Sequence, residues 1–305
     1  MATRLIDKTA TKPIRKTTGE RAFDVFNVVA LLALVTVTLY PLLYVLFASL
    51  SNPTELALSR GPLLGPAGFS LEAYRKVFQN PSISTGYRNT LFYVGAGTLI
   101  NMVMTCLGAY ALSRKNVLWK TPILMMIIFT LFFSGGLIPT YLLVGKTLNW
   151  VDTPWALIIP GAISTWNLLV LKTAFEAVPV ALEEAARIDG ANDFTILLRV
   201  VIPLSLPALA VILLFYAVGH WNAYFQALIY LRNRDLFPLQ LVLREILLAN
   251  STDSMTTGVS SGDVEPVGET IKYATIVVAT LPILALYPFL QRYFVKGVLI
   301  GGVKE

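Results

Sequence analysis

Histidine and cysteine each occur once in the 305 residues, and charged side chains make up only 14% of them. These scarcities exclude whole classes of chemistry. A single histidine, His220, leaves nothing from which to build a Ser/His/Asp constellation or a metal-binding spacing. A single cysteine, Cys106, permits no internal disulfide, and its place in an apolar run says nothing of redox compartment. Charge is scarcest within the long hydrophobic runs. Arg88, Lys172 and Lys272 fall at run ends, where their stems can snorkel, and only His220 falls well inside one. Proteins driven by a proton gradient usually need a relay of buried carboxylates or histidines, so this chain is a poor fit to that class. It also lacks the common phosphate-binding loop. Gly145-Lys146-Thr147 imitates the end of that loop, but Thr140 stands where its first glycine belongs.

What is present is apolar surface: 55% hydrophobic residues and a mean hydropathy of +0.67. That composition describes an all-α integral membrane protein. Apolar runs at about Phe23–Leu50, Tyr87–Leu112, Thr121–Val144, Trp155–Phe175, Pro203–Tyr230 and Ile271–Tyr293 each match the ~20 residues a tilted span needs. The expected organisation is a basic tail over 1–22, a six-helix membrane domain over 23–293 and a short tail over 294–305. The N-terminal tail, with Arg4, Lys8, Lys12, Arg15, Lys16 and Arg21, lacks the cleavable site of a signal peptide. It is simplest as a topology determinant that contacts lipid headgroups, not nucleic acid. With Arg114, Lys115 and Lys120 in the next short loop, it places both termini and the 176–202 loop in the cytoplasm. On the opposite face, the 231–269 loop contains a helix-forming stretch with an apolar side, Pro238 to Ala249. A polar, mobile stretch from Asn250 to Gly262 follows. That helix either lies on the bundle or docks a partner.

The run from Pro179 to Pro207 is the longest in the second half of the chain that is too polar for lipid. Pro179 suits a first helical position, Glu183 and Glu184 an early turn, and Gly190 a helix stop. Asn192 or Asp193 can cap a second helix. Arg187 lies three and four residues after the glutamates and can pair with them. Ala181, Ala185 and Ala186 leave a thin surface that another backbone could approach closely, so the element reads as one that docks.

Glu184-Ala185-Ala186, Gly190 nearby and Val200-Val201-Ile202-Pro203 beyond it resemble the EAA loop of the membrane subunits of ABC importers. Leu182 to Ala191 is similar to the version in carbohydrate permeases, although Val200 stands where isoleucine is commoner. Ser134-Gly-Gly-Leu-Ile-Pro-Thr-Tyr141, Gly219-His-Trp-Asn222 and Pro238 to Glu245 resemble a subgroup linked to large, often acidic oligosaccharides, nearest to the smaller permeases of bacterial alginate importers. The resemblance implies a type I ABC importer permease fold in a bacterial inner membrane. It also implies a second permease subunit, an extracytoplasmic solute-binding protein, and two cytoplasmic ATPase subunits that hold the ATP and magnesium. The 180–200 segment would then be the coupling helix, with Glu183, Glu184, Ala185, Ala186, Arg187, Asp189 and Gly190 at the ATPase contact. Glu184 carries the family's glutamate and Gly190 its glycine. The chain itself would be no enzyme.

Polar and aromatic side chains gather in three spans: Asn101; Trp166 and Asn167; and Tyr216, His220, Trp221 and Asn222 with Tyr224 and Gln226. Sugars bind on aromatic faces edged by amides and hydroxyls, so these residues suit a translocation path. They equally suit interfacial belts and bonds between neighbouring helices. Gly135, Gly136 and Pro139 would loosen the third span, either to line a cavity or to bend it for packing. A gradient-driven sugar carrier is the alternative, and a membrane-embedded enzyme or scaffold a third, weaker one.

Overall fold

A computed structural model describes residues 17–59, 61–256 and 268–285. The basic tail up to residue 16, residues 257–262 of the polar stretch and the 294–305 tail lie outside the described residues. Those described are helical throughout, apart from loops and one isolated bridge between Ser51 and Phe69.

The first helix, Thr18–Ser49, opens with a capping box: Thr17 Oγ1 accepts from Glu20 N at 3.3 Å, and Glu20 Oε2 accepts from Thr17 N at 2.7 Å. It is apolar on all sides, and its most apolar window is 0% buried. Its far end meets the rest of the chain, where Tyr40 Oη accepts from Leu63 N at 3.2 Å and Ala48 is fully buried. The expected amphipathic piece follows as Glu72–Gln79, with Ala73 and Val77 facing inward. Asn80 then caps the second long helix, its Oδ1 accepting from Ser82 N at 3.0 Å, with Pro81 in the first turn.

That helix, Pro81–Ser113, is the mast of the fold. Helices Thr165–Glu176, Leu206–Trp221 and Leu239–Thr256 all pack against it. Of the six runs read from hydropathy, the middle ones are not single helices. Lys120–Phe132 turns by 109° into Leu137–Thr147, and Gly136 at the corner has φ 82°. Leu206–Trp221 is bent 89° from Asp193–Leu204 at Ser205, which sits between Pro203 and Pro207. Proline lacks the N–H that would carry the helix through, and glycine adopts the left-handed corner without a Cβ clash. The fourth run is split into Trp155–Ile158 and Thr165–Glu176. Among the described residues, three helices are long and apolar enough to cross a membrane, or up to five if each bent pair is one span. The last of the three, Gly268–Ala285, covers the start of the sixth run.

The 231–269 segment is pinned down at its start. Leu239 N donates to Thr90 Oγ1 at 2.8 Å, Asn89 Nδ2 donates to Asp235 O and Phe237 O at 2.7 and 3.0 Å, and Tyr93 Oη donates to Leu236 O at 2.8 Å. The helix Leu239–Thr256 therefore lies on the bundle, with Leu239, Leu241 and Val242 buried. Asp152 ties the neighbouring turn to the same segment: its carboxylate accepts from Arg232 N and, at 2.8 Å, from Asn233 N. These two backbone bonds hold its carboxyl below the usual aspartate range.

Candidate coupling arm and transport core

From Pro179 onward the chain forms a short arm at one end of the bundle. Its first helix is Val180–Ile188, and Pro179 is the N-cap, with ψ 126°, and not the first helical residue. The corner closes as a Schellman motif: Ala191 N donates to Ala186 O at 2.9 Å and Gly190 N to Arg187 O at 3.0 Å. Gly190 has φ 84°, and a Cβ built there meets nothing within 4 Å, so only backbone conformation demands glycine. Asn192 takes the cap of the second helix, its Oδ1 accepting from Thr195 N and Oγ1 at 2.9 Å each. That second helix carries a π-type turn, Leu197–Val201, before Ile202.

Arg187 does not pair with the glutamates as its spacing suggests. It reaches across the corner to Asp193 at 2.5 Å. Glu183 points back into the bundle, is 7% exposed, and is held by Arg114. Arg114 was legible only as one more positive charge; its partner lies 69 residues away, and no local pattern connects them. Burial pushes its guanidinium down from the ordinary arginine value. Beside it, desolvation raises Glu176, but hydrogen bonds from Lys172 and Lys120 outweigh that and leave the carboxyl below its usual value. Glu184, Ala185 and Asp189 are exposed, while Ala186 is half-buried against the core around Ile196 and Val201. Exposed apolar side chains surround the corner: Leu182, Ile188 at 86%, Phe194 and Leu198. An apolar surface on the most polar element of a hydrophobic protein is suited to a protein partner.

Within the bundle, the structure brings Asn101, Tyr216 and His220 together. Asn101 Nδ2 donates to Gly161 O at 2.7 Å and Ala162 O at 2.9 Å, and its Oδ1 lies 2.6 Å from His220 Nε2. One turn further along, Tyr216 Oη lies 2.7 Å from Thr105 Oγ1 and accepts from Ser164 N at 2.9 Å. These side chains satisfy the backbone groups freed where the fourth run breaks, which bare hydrocarbon could not do. Gly97 makes room for the imidazole. Trp221 stands apart, its Nε1 donating to Ala279 O at 3.1 Å and its ring edge-on to Tyr87. Asn167 is buried, whereas Trp166 (60%) and Asn222 are exposed. Among the described residues, no group of three His, Cys, Asp or Glu could hold a metal ion.

A multi-span helical bundle with broken spans, a side-chain-stitched interior and a protruding two-helix arm defines a membrane transport subunit. The chain belongs to the family of binding-protein-dependent transport system inner membrane components, whose model matches residues 105–300, and is a multi-pass permease of the ABC-importer type. It is 42% identical to the polygalacturonan/rhamnogalacturonan transport system permease protein YtcP of Bacillus subtilis, over 93% of this chain and 99% of that one. It is also similar to a chain in the crystal structure of a bacterial ABC transporter involved in the import of the acidic polysaccharide alginate. There the TM-score is 0.83 and the identity 32%, over 92% of this chain and 99% of the other. A chain of the bacterial alginate ABC transporter in complex with alginate pentasaccharide-bound periplasmic protein shares the fold, with TM-score 0.61 and 15% identity over 88% and 93% of the two chains.

Proposed function

We propose that this chain forms half of the translocation pathway of an ATP-driven importer for oligosaccharides, with acidic ones such as alginate fragments as the favoured class. The arm carries this reading: a rigid corner at Gly190 bearing exposed Ile188, Phe194, Glu184 and Ala185 is built to be gripped from outside. Its partner is one of two cytoplasmic ATPase subunits, which hold the ATP and magnesium, so both chain termini and the arm lie in the cytoplasm. A second permease completes the pathway, and an extracytoplasmic solute-binding protein delivers the sugar. The relative named for polygalacturonan and the neighbour named for acidic alginate support an anionic saccharide. Closure of the ATPase pair moves the arm, and the bundle alternates between outward and inward access. Glu184 anchors the contact by charge, and Ala185 lets the partner approach closely. Trp166, His220 and Asn222 are the residues on the path, while Asn101, Asn167, Tyr216 and Trp221 shape its wall.

Affinity isolation in mild detergent, followed by reconstitution of the co-purifying chains in proteoliposomes, tests this. The expected result is a co-isolated ATPase and ATP-dependent uptake of oligouronides in preference to neutral oligosaccharides. Uptake that needs a proton or sodium gradient and no ATP would reject the reading, and equal uptake of neutral sugars would reject the acidic preference.

A further inference from the structure

We infer that Arg114 is a positioning residue for transport: a latch that fastens the arm to the mast helix, so that movement of the arm reaches Pro81–Ser113 directly. This rests on the arm being driven as proposed above. Arg114 is the C-cap of the mast. Its Nη1 donates to the Glu183 carboxylate in the arm, its Nη2 to Phe175 O at the end of Thr165–Glu176 at 3.2 Å, and its Nε to Ser113 Oγ at 3.0 Å. The guanidinium carbon lies 4.8 Å from the centre of the Tyr110 ring, which covers one face. One planar fork thus joins three elements, an arrangement for which the single ammonium of lysine has too few fixed donors.

The covalent routes from arm to mast are less direct. One runs back through Ala177, Val178 and Pro179 into Thr165–Glu176, and the other forward through the 89° bend at Ser205, whose hydroxyl is buried and has no hydrogen-bond partner among the described residues. Through Arg114, by contrast, a displacement of Val180–Ile188 acts on the mast at its end. The mast is bonded to Leu206–Trp221 through Asn101 to His220 and Thr105 to Tyr216. Both helices then move as one body. Without the guanidinium, the arm keeps its outward face for a partner, and among the described residues it is joined to the core by backbone and apolar contacts.

The test uses the full reconstituted importer and reads oligosaccharide imported per ATP hydrolysed, alongside the yield of assembled complex. Arg114→Gln is expected to lower that ratio by about tenfold, within the usual range for one coupling contact, with the ATPase still bound. Arg114→Lys, which keeps the charge but loses the fork, is expected to fall between Gln and wild type. A ratio unchanged in both variants would overturn the latch, whether or not yield falls, because Arg114 would then be a folding contact. If Arg114→Gln fails to assemble, the ratio of Arg114→Lys decides. A wild-type complex without ATP-driven uptake would remove the functional reading and the latch together, whereas a coupled wild type with a coupled Arg114→Gln removes the latch alone.

Discussion

Asn101 and His220 meet at 2.6 Å between the mast and Leu206–Trp221, and the amide dictates which group donates. Both amide hydrogens of Asn101 go to the carbonyls of Gly161 and Ala162, so its oxygen can only accept and His220 must carry a proton on Nε2. One side chain thereby holds a broken helix and orients an imidazole.

Asn101→Leu removes the donors but leaves both carbonyls in place. We expect a loss of about 1–3 kcal/mol, the usual cost of stranding buried polar groups, read as a lower melting temperature of the purified protein in detergent. His220→Leu leaves those two bonds intact and is expected to cost less.

A Cβ at position 97 would lie 2.5 Å from His220 Nε2. Gly97→Ala therefore displaces the ring from Asn101 and lowers stability. Combined with His220→Ala it should cost less than the sum of the single changes, a non-additivity that a double-mutant cycle measures directly. Simple additivity would show that the ring moves away freely.

At Gly190 the surroundings are open and only the left-handed backbone resists substitution. Gly190→Asn should retain uptake, since asparagine tolerates that conformation. Gly190→Ala is expected to weaken the corner by about 1–2 kcal/mol, and Gly190→Val to abolish uptake while the protein still inserts. Normal uptake by the valine variant would remove the corner from the mechanism.

Asp152 supplies a pH signature. Its folded pKa lies below its unfolded value, so its contribution to stability is complete above the unfolded value of ~4 and is lost as pH falls through the depressed folded value. The melting-temperature difference between wild type and Asp152→Ala should be constant from about pH 7 to 5 and shrink below about pH 4. A difference that persists unchanged into stronger acid would mean the carboxylate charge is not what matters.

The arm was legible because its signals are local. Gly190 as helix stop and Asn192 as cap depend on a few neighbouring residues, and the structure shows both. What failed there were pairings with competitors: Arg187 had Glu183 and Glu184 in helical register, but Glu183 is claimed by Arg114 and Arg187 turns to Asp193. Gly135, Gly136 and Pro139 marked the bend in the third run, but hydropathy did not locate the break at Ser205, because a sliding average sees composition and not the backbone angle that one residue adopts. The polar residues of the core were visible individually. That Asn101 serves the carbonyls of Gly161 and Ala162 could not be read, since it depends on two segments 60 residues apart meeting.

The first helix bears on how the chain unfolds. Residues 25–39 are all exposed, and the far end of the helix is fastened at Tyr40 and Tyr44, through Leu63 N and the edge-on contact of Tyr44 with Tyr273. Cooperativity spreads through contacts, so it is weak along this exposed stretch. The core is bound together by its mast, whereas the exposed stretch 25–39 is a rod whose order is lent by whatever hydrocarbon or neighbouring subunit lies alongside it.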